Sequence, residues 1–272
     1  MSIKPFSRST TLVLASLLLT SCSVETEKLG SEPLLSDLFS GEMNIIDLTH
    51  ALDETNPVWG AGAESPFSYD VLASHESGRA VMGAFSTADH YGTHIDAPTH
   101  GGDNLPTVDE LDARALFGPL AVIDIFDQSS ANADYALTVD DILKWESTHG
   151  ILQARSVVVA YSGWSEKWND HDAYLNRDEN GDMHFPGFSE EAGFFLANER
   201  DILGIGIDNM SVDPAAANGF PAHGAVNGNG KFHLENVANA HLLPASGAWL
   251  IVAPIKVTGG SGGPVRLFAV LP

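Results

Sequence analysis

Five apolar, strand-like runs constrain the fold of this chain more than any other feature of it. They are Asn44-Ile45-Ile46-Asp47-Leu48, Leu120-Ala121-Val122-Ile123-Asp124-Ile125, Ser156-Val157-Val158-Val159-Ala160-Tyr161, Ile202-Leu203-Gly204-Ile205-Gly206-Ile207-Asp208 and Trp249-Leu250-Ile251-Val252-Ala253-Pro254-Ile255. Runs that are apolar at successive positions fit strands buried on both faces. Helical segments separate some of them. Thr138, with Asp141 three residues on, predicts a capped helix that ends near Gly150, and Ser189 predicts another with Glu190 and Glu191 in its dipole-favoured first turn. The alternation predicts an α/β domain. Ala80 to Ala88 reads as a further strand leading into a loop, and Gly259 to Pro264 as the turn of a final hairpin.

The start of the chain stands apart from this pattern. Lys4 and Arg8 precede the run Leu12-Val13-Leu14-Ala15-Ser16-Leu17-Leu18-Leu19, too short to span a bilayer and suited to a secretory signal. Leu19-Thr20-Ser21-Cys22 resembles a bacterial lipoprotein box, which implies cleavage before Cys22, a lipid on its thiol and, with Ser23 next, an outer-membrane anchor facing the periplasm. Residues 23–40 are polar and read as a tether, which leaves 41–272 as one domain large enough to bury a substantial core. Cys22 is the only cysteine, so the domain has no disulfide, cysteine nucleophile or thiolate ligand. Thirteen basic against 36 acidic residues, a formal charge of −23, argue against nucleic acid as a partner.

Chemistry concentrates in His90-Tyr91-Gly92-Thr93-His94-Ile95-Asp96-Ala97-Pro98-Thr99-His100. Imidazole and carboxylate are the ligand types taken by zinc and by manganese-like ions, and His90, His94 and Asp96 are spaced so that one short segment can wrap an ion. Gly92 and Pro98 force irregular backbone here, and functional groups collect on such loops. His100, beyond Pro98, reads as a free base beside the ion. A cluster of hydrogen-bonded loop histidines is the plainer alternative.

The pattern His-x-Gly-Thr-His-x-Asp-x-Pro-x-His, complete here from His90 to His100, resembles the metal-dependent cyclase family that includes bacterial kynurenine formamidases and isatin hydrolases. Asp47-Leu48-Thr49-His50, Gly206-Ile207-Asp208-Asn209-Met210-Ser211-Val212-Asp213, Pro221-Ala222-His223, Glu235-Asn236-Val237 and Ser261-Gly262-Gly263-Pro264-Val265-Arg266 extend the likeness along the chain. The resemblance implies a single α/β domain of the swivelling β/β/α type, with a mixed sheet and flanking helices, that forms homo-oligomers. It implies one or two divalent ions, zinc or manganese: the first held by His90, His94 and Asp96, and a second by Asp96, His223 and Glu235 or, where there is one ion, its shell completed by one of these later groups. His100 matches the general acid/base, and Trp59 a tryptophan beside the substrate, although Trp59-Gly60-Ala61-Gly62 departs from the family's Trp-Pro-Gly-Asp.

The expected activity is hydrolysis of a small aryl amide by metal-activated water, as in arylformamidases. The alternatives are an isatin-like cyclic amide or lactone, and a non-catalytic periplasmic binding lipoprotein, which has no need of a free His100. Secretion weighs against cytoplasmic tryptophan breakdown as the setting. His184-Phe185-Pro186-Gly187-Phe188 offers aromatic surface to the pocket or to the core. Asn176-x-Asp178-x-Asn180-Gly181-Asp182 imitates half a calcium loop but has Gly187 where a bidentate Glu belongs, and reads as a solvated turn.

Overall fold

A computed structural model describes residues 40–41, 43–59 and 64–271. The expected signal, Cys22 and the tether up to residue 39 lie outside the described residues, as do Gly60 to Ala63 after Trp59. Twelve strands are described: β1 (Ile45–Asp47), β2 (Ser68–Ala73), β3 (Met82–Ser86), β4 (His94–Asp96), β5 (Phe117–Asp124), β6 (Ala136–Leu137), β7 (Val157–Tyr161), β8 (Gly187–Phe188), β9 (Gly204–Ile207), β10 (Phe232–Glu235), β11 (Trp249–Pro254) and β12 (Gly262–Val270). The helices are α1 (Phe126–Ala131), α2 (Val139–His149), α3 (His171–Leu175), α4 (Glu190–Glu199) and α5 (Pro221–Asn227).

The main sheet runs β12-β11-β5-β7-β9-β10-β4 and then returns to β12, so it closes into a barrel, with β1 added on the far side of β12. Strands β5, β7, β9 and β10 are mutually parallel; β4, β11 and β12 run antiparallel to their neighbours. Closure depends on the length of β12. Its first residues, Gly262 to Pro264, pair with β4, and its last, Phe268 to Val270, pair with β1. The single α/β domain, the mixed sheet and the flanking helices match the expectation, while the swivelling β/β/α label says more than these pairings do.

Side-chain alternation explains why the runs are apolar at every position. Leu120, Val122, Val157, Val159, Leu234, Leu250 and Val252 share one core inside the barrel. Their neighbours Ala121, Ile123, Val158, Ala160, Ile205 and Ile207 point the other way, into a second core shared with Ile142 of α2, Ala192 and Leu196 of α4 and Val226 of α5. Each fully buried Val or Ile contributes on the order of 1.5–3 kcal/mol, so neither face of β7 tolerates a polar residue.

Both sequence-predicted helices start where their caps place them. The Thr138 hydroxyl accepts from the Asp141 amide and the Asp141 carboxylate accepts from the Thr138 amide, a reciprocal capping box, while Ser189 accepts from the Ala192 amide at 3.1 Å. Differences from the sequence reading lie in the short elements. The Ala80 to Ala88 strand exists as β3, but it pairs only with β2 in a hairpin outside the barrel whose Tyr69, Val71, Leu72, Met82 and Phe85 are exposed. His94 to Asp96, read as loop, is a strand between β10 and β12, and the Gly259 turn is shorter than expected because β12 begins at Gly262. Among the described residues no helix is long and apolar enough to cross a membrane.

Candidate metal centre

Strand register assembles the site. In the antiparallel β4/β10 ladder, His94 faces Glu235 and Asp96 faces His233, so these alternate residues share one face of the barrel wall. Gly92 makes the turn into β4 with a positive φ of 66°, and a Cβ there would stand 2.8 Å from Leu52. Gly262, opposite Asp96 on β12, lets His90 lie against the strand: a Cβ at this position would meet the Ile95 carbonyl at 2.5 Å and the His90 ring at 2.8 Å. His223 enters from α5, and His100 from the short 3-10 turn that Pro98 starts.

Three histidines are held with one nitrogen committed outward and the other turned to the cluster. His94 Nδ1 lies 2.9 Å from the Gly92 carbonyl, and its Nε2 sits 3.2 Å from Asp96 Oδ1 and 3.4 Å from Glu235 Oε2. His223 Nδ1 lies 2.5 Å from Asp213 Oδ2, and its Nε2 is 3.5 Å from both Asp96 Oδ2 and Glu235 Oε1. His90 Nε2 contacts the Ser261 hydroxyl at 2.8 Å, which itself donates to Asp89, while Nδ1 lies 2.6 Å from Asp96 Oδ1. Such outer partners fix the tautomer of a ligating imidazole. His90, His94 and Asp96 offer one set of converging ligand atoms, and Asp96, His223, His233 and Glu235 a second.

Donor spacing and charge both fit a divalent ion. Two ligands on a tetrahedral ion with bonds near 2.0 Å stand about 3.3 Å apart, close to the nitrogen–oxygen separations around His94 and His223. The His94 Nε2 is buried with no hydrogen-bond partner. Burial works against a charged imidazole at His94, but Asp96 and Glu235 outweigh it and raise its pKa well above the ordinary value. At His223 burial is again overcome, by hydrogen bonds to Asp213 and Asp96, and the pKa is pushed up to about 10. Burial would raise the Asp96 carboxyl, yet His94 and the other imidazoles facing it hold it well below the carboxylate range. The field at this point attracts positive charge, which a bound cation can supply in place of the protons.

His100 stands beside this set. Its ring lies 4.0 Å from that of His90 and its Nε2 is 3.8 Å from Asp96 Oδ2; burial lowers its pKa, against the pull of Asp96. The cluster floors a cavity of about 370 Å³ walled by Pro57, Trp59, Pro66, Met210 and Phe220. Trp59, 48% exposed, packs edge-on against buried Phe185 and near Phe220. Phe185 and Phe188 are fully buried and belong to the core.

All seven site residues expected from the sequence, Trp59, His90, His94, Asp96, His100, His223 and Glu235, line this one cavity. The sequence reading missed His233, which faces Asp96 across the ladder, and it gave no role to Asp213, Ser261 or Asp89. The alternation His233-x-Glu235 on a strand was the available signal. The Asp178 turn is closed by its own hydrogen bonds, from the Asn180 and Asp182 amides to Asp178 Oδ1.

Comparisons with known proteins agree with this geometry. The family model described as "Putative cyclase" matches residues 46–214. An isatin hydrolase from Roseibium aggregatum is 35% identical over 250 residues, 86% of this chain and 94% of its own length. A kynurenine formamidase from Geobacillus thermodenitrificans is 29% identical over 222 residues, covering 81% of this chain and 94% of its own. The structure of isatin hydrolase A from Labrenzia aggregata bound to benzyl benzoate superposes with a TM-score of 0.81 at 36% identity, covering 88% of this chain and 98% of that one.

Proposed function

The chain belongs to the cyclase family, and on that premise we propose that it is a metal-dependent hydrolase that opens a cyclic aryl amide of the isatin type. The observation that carries the proposal is the single cavity floor, where inward histidine nitrogens and two carboxylates stand at ligand spacing with His100 alongside, under an aromatic rim. His90, His94 and Asp96 would hold the ion of a site that keeps a position open to the cavity, and zinc and manganese both suit these donors. When bound, a divalent ion supplies a water acidified toward a pKa of about 7 and a positive charge against the carbonyl oxygen.

The chain's own groups do the rest. Trp59 and Phe220 offer aromatic surface at the rim against which a fused aromatic ring can pack, bringing its amide carbonyl over the floor. His100 Nε2 accepts a proton from the attacking water and returns it to the ring nitrogen as the carbon–nitrogen bond breaks, leaving an arylamine and a carboxylate. Without that proton the departing group would be an anilide anion.

A cyclic substrate is favoured over the open-chain aryl formamide because the isatin hydrolase named above is 35% identical and the kynurenine formamidase 29%. The formamide remains the second reading, since it presents the same aryl amide to the same floor. Side-by-side kcat/KM measurements on isatin, N-formylkynurenine and an aryl lactone, with metal content determined on the same sample, test the choice. A preference for isatin of tenfold or more is expected. Preference for the formamide reverses the assignment, and metal without turnover of any of the three makes this a binding protein. The same reading keeps a lipid anchor at Cys22 on the periplasmic face of the outer membrane and a homo-oligomeric assembly; Cys22→Ala should release the protein from the membrane fraction.

A further inference from the structure

We propose that His233 completes a second, closed ion seat with Asp96, His223 and Glu235, one that takes a zinc-like divalent cation. The inference rests on the metal-hydrolase reading above and adds a ligand and a division of labour to it. Asp96 and Glu235 each face both ways. Asp96 Oδ1 and Glu235 Oε2 turn to His94, while Asp96 Oδ2 and Glu235 Oε1 turn to His223. Two ions can therefore share two carboxylates without sharing an imidazole.

His233 is 0% exposed, and neither ring nitrogen has a hydrogen-bond partner. A buried imidazole left so is destabilising unless something fills the gap. Its Nδ1 lies 3.6 Å from Asp96 Oδ2, too far for a hydrogen bond and near the spacing of about 3.3 Å between two ligands of one tetrahedral ion. The His223 ring stands edge-on to it, 4.6 Å away at 84°, so the two imidazoles approach the carboxylates from different directions.

The cavity touches His94, Asp96, His223 and Glu235 but not His233, which lies on the same outer face of the barrel wall, between Asp96 of β4 and Ile205 of β9. The first seat, with His90 and His94 on the two carboxylates, lies against the cavity. The second has four protein ligands, one of them outside the cavity lining, the full shell of a structural zinc site. Two imidazoles and two carboxylates suit zinc. An ion in the closed seat would also pin the two carboxylates on which the first seat depends.

Equilibrium dialysis of the chelator-stripped full chain against zinc, with metal counted by mass spectrometry and repeated with cobalt for its absorption spectrum, tests this. The unmodified protein should take up two ions per chain. His233→Gln should keep one and weaken the second at least tenfold, while His94→Gln should keep one ion with the intense absorption of tetrahedral cobalt. Thermal melts of the stripped proteins establish that the variants fold. If His233→Gln does not, His94→Gln decides: no retained ion, or weak octahedral absorption, overturns the proposal. So does a His233→Gln protein that binds both ions as tightly as the unmodified chain, or an active unmodified chain that saturates at one. Two ions bound without turnover of any aryl amide would defeat the substrate reading and leave the closed seat standing.

Discussion

Asp213 should matter to both folding and metal binding, because one carboxylate serves three donors. Its Oδ1 accepts from the Ala222 amide at 2.6 Å, and its Oδ2 accepts from the His223 amide at 3.2 Å and from His223 Nδ1 at 2.5 Å. The two amides belong to the first turn of α5, where no intrahelical partner exists, and both residues are buried. Asp213→Ala leaves them unsatisfied at about 1–3 kcal/mol each and removes a helix cap, so a loss of about 3–5 kcal/mol is expected. Asp213→Asn is the sharper perturbation. Its amide oxygen keeps either the Ala222 amide or the two His223 donors, and its NH2 confronts the donor or donors on the other side, the His223 Nδ1–H among them when the NH2 takes the Oδ2 position. About 1–3 kcal/mol should be lost, and the freed imidazole should weaken metal binding by roughly 10–100-fold. Urea unfolding of the stripped protein measures the first effect and competition with a chromophoric chelator the second. An Asn variant that binds zinc within twofold of the unmodified chain would refute the idea that Asp213 sets the His223 tautomer.

Other substitutions probe separate parts of the structure. Gly262→Ala places a methyl against the Ile95 carbonyl, which is backbone and cannot swing aside, so a cost of about 1–3 kcal/mol and weaker metal uptake should appear in denaturation and dialysis. His100→Ala should leave the metal content unchanged and reduce turnover by roughly two to four orders of magnitude, and a full complement of metal with undiminished kcat would remove His100 from proton transfer. Trp59→Ala should raise KM for aromatic substrates more than it lowers kcat, since the ring lines the rim and packs against Phe185 and Phe220. The hydrogen bonds from Arg200 lower the pKa of Glu146 below its ordinary value of 4.5, at separations of 2.7 and 2.8 Å. Because the folded value is the lower, the pair stabilises above the unfolded pKa and its contribution fades as pH falls through the folded one. Arg200→Gln should therefore lose about 1 kcal/mol near neutrality, a loss that shrinks in urea titrations repeated near pH 4.

What the sequence could disclose depended on whether the interacting groups were neighbours along the chain. The parallel strands β5, β7 and β9 were legible because a strand packed on both sides needs apolar side chains at each position, and no other element demands that of Val157, Val158 and Val159 together. His90, His94 and Asp96 were legible because one segment carries all three. Barrel closure was not, since it rests on the three residues of β4, too few for any period to show, and on β12 being long enough to pair with β1 at one end and β4 at the other. Asp213 reaches His223 from another element, and Ser261 reaches His90 across 171 residues while donating to Asp89, and such contacts leave no local pattern. His233 falls between these cases. A period of two from Glu235 puts it on the same face, and that inference requires only that residues 232–235 be a strand. Their two polar positions kept the segment from looking like the buried strands around it. Those polar positions are the ones that face Asp96 and His94, so the feature that hid the strand is the one that gives it chemistry.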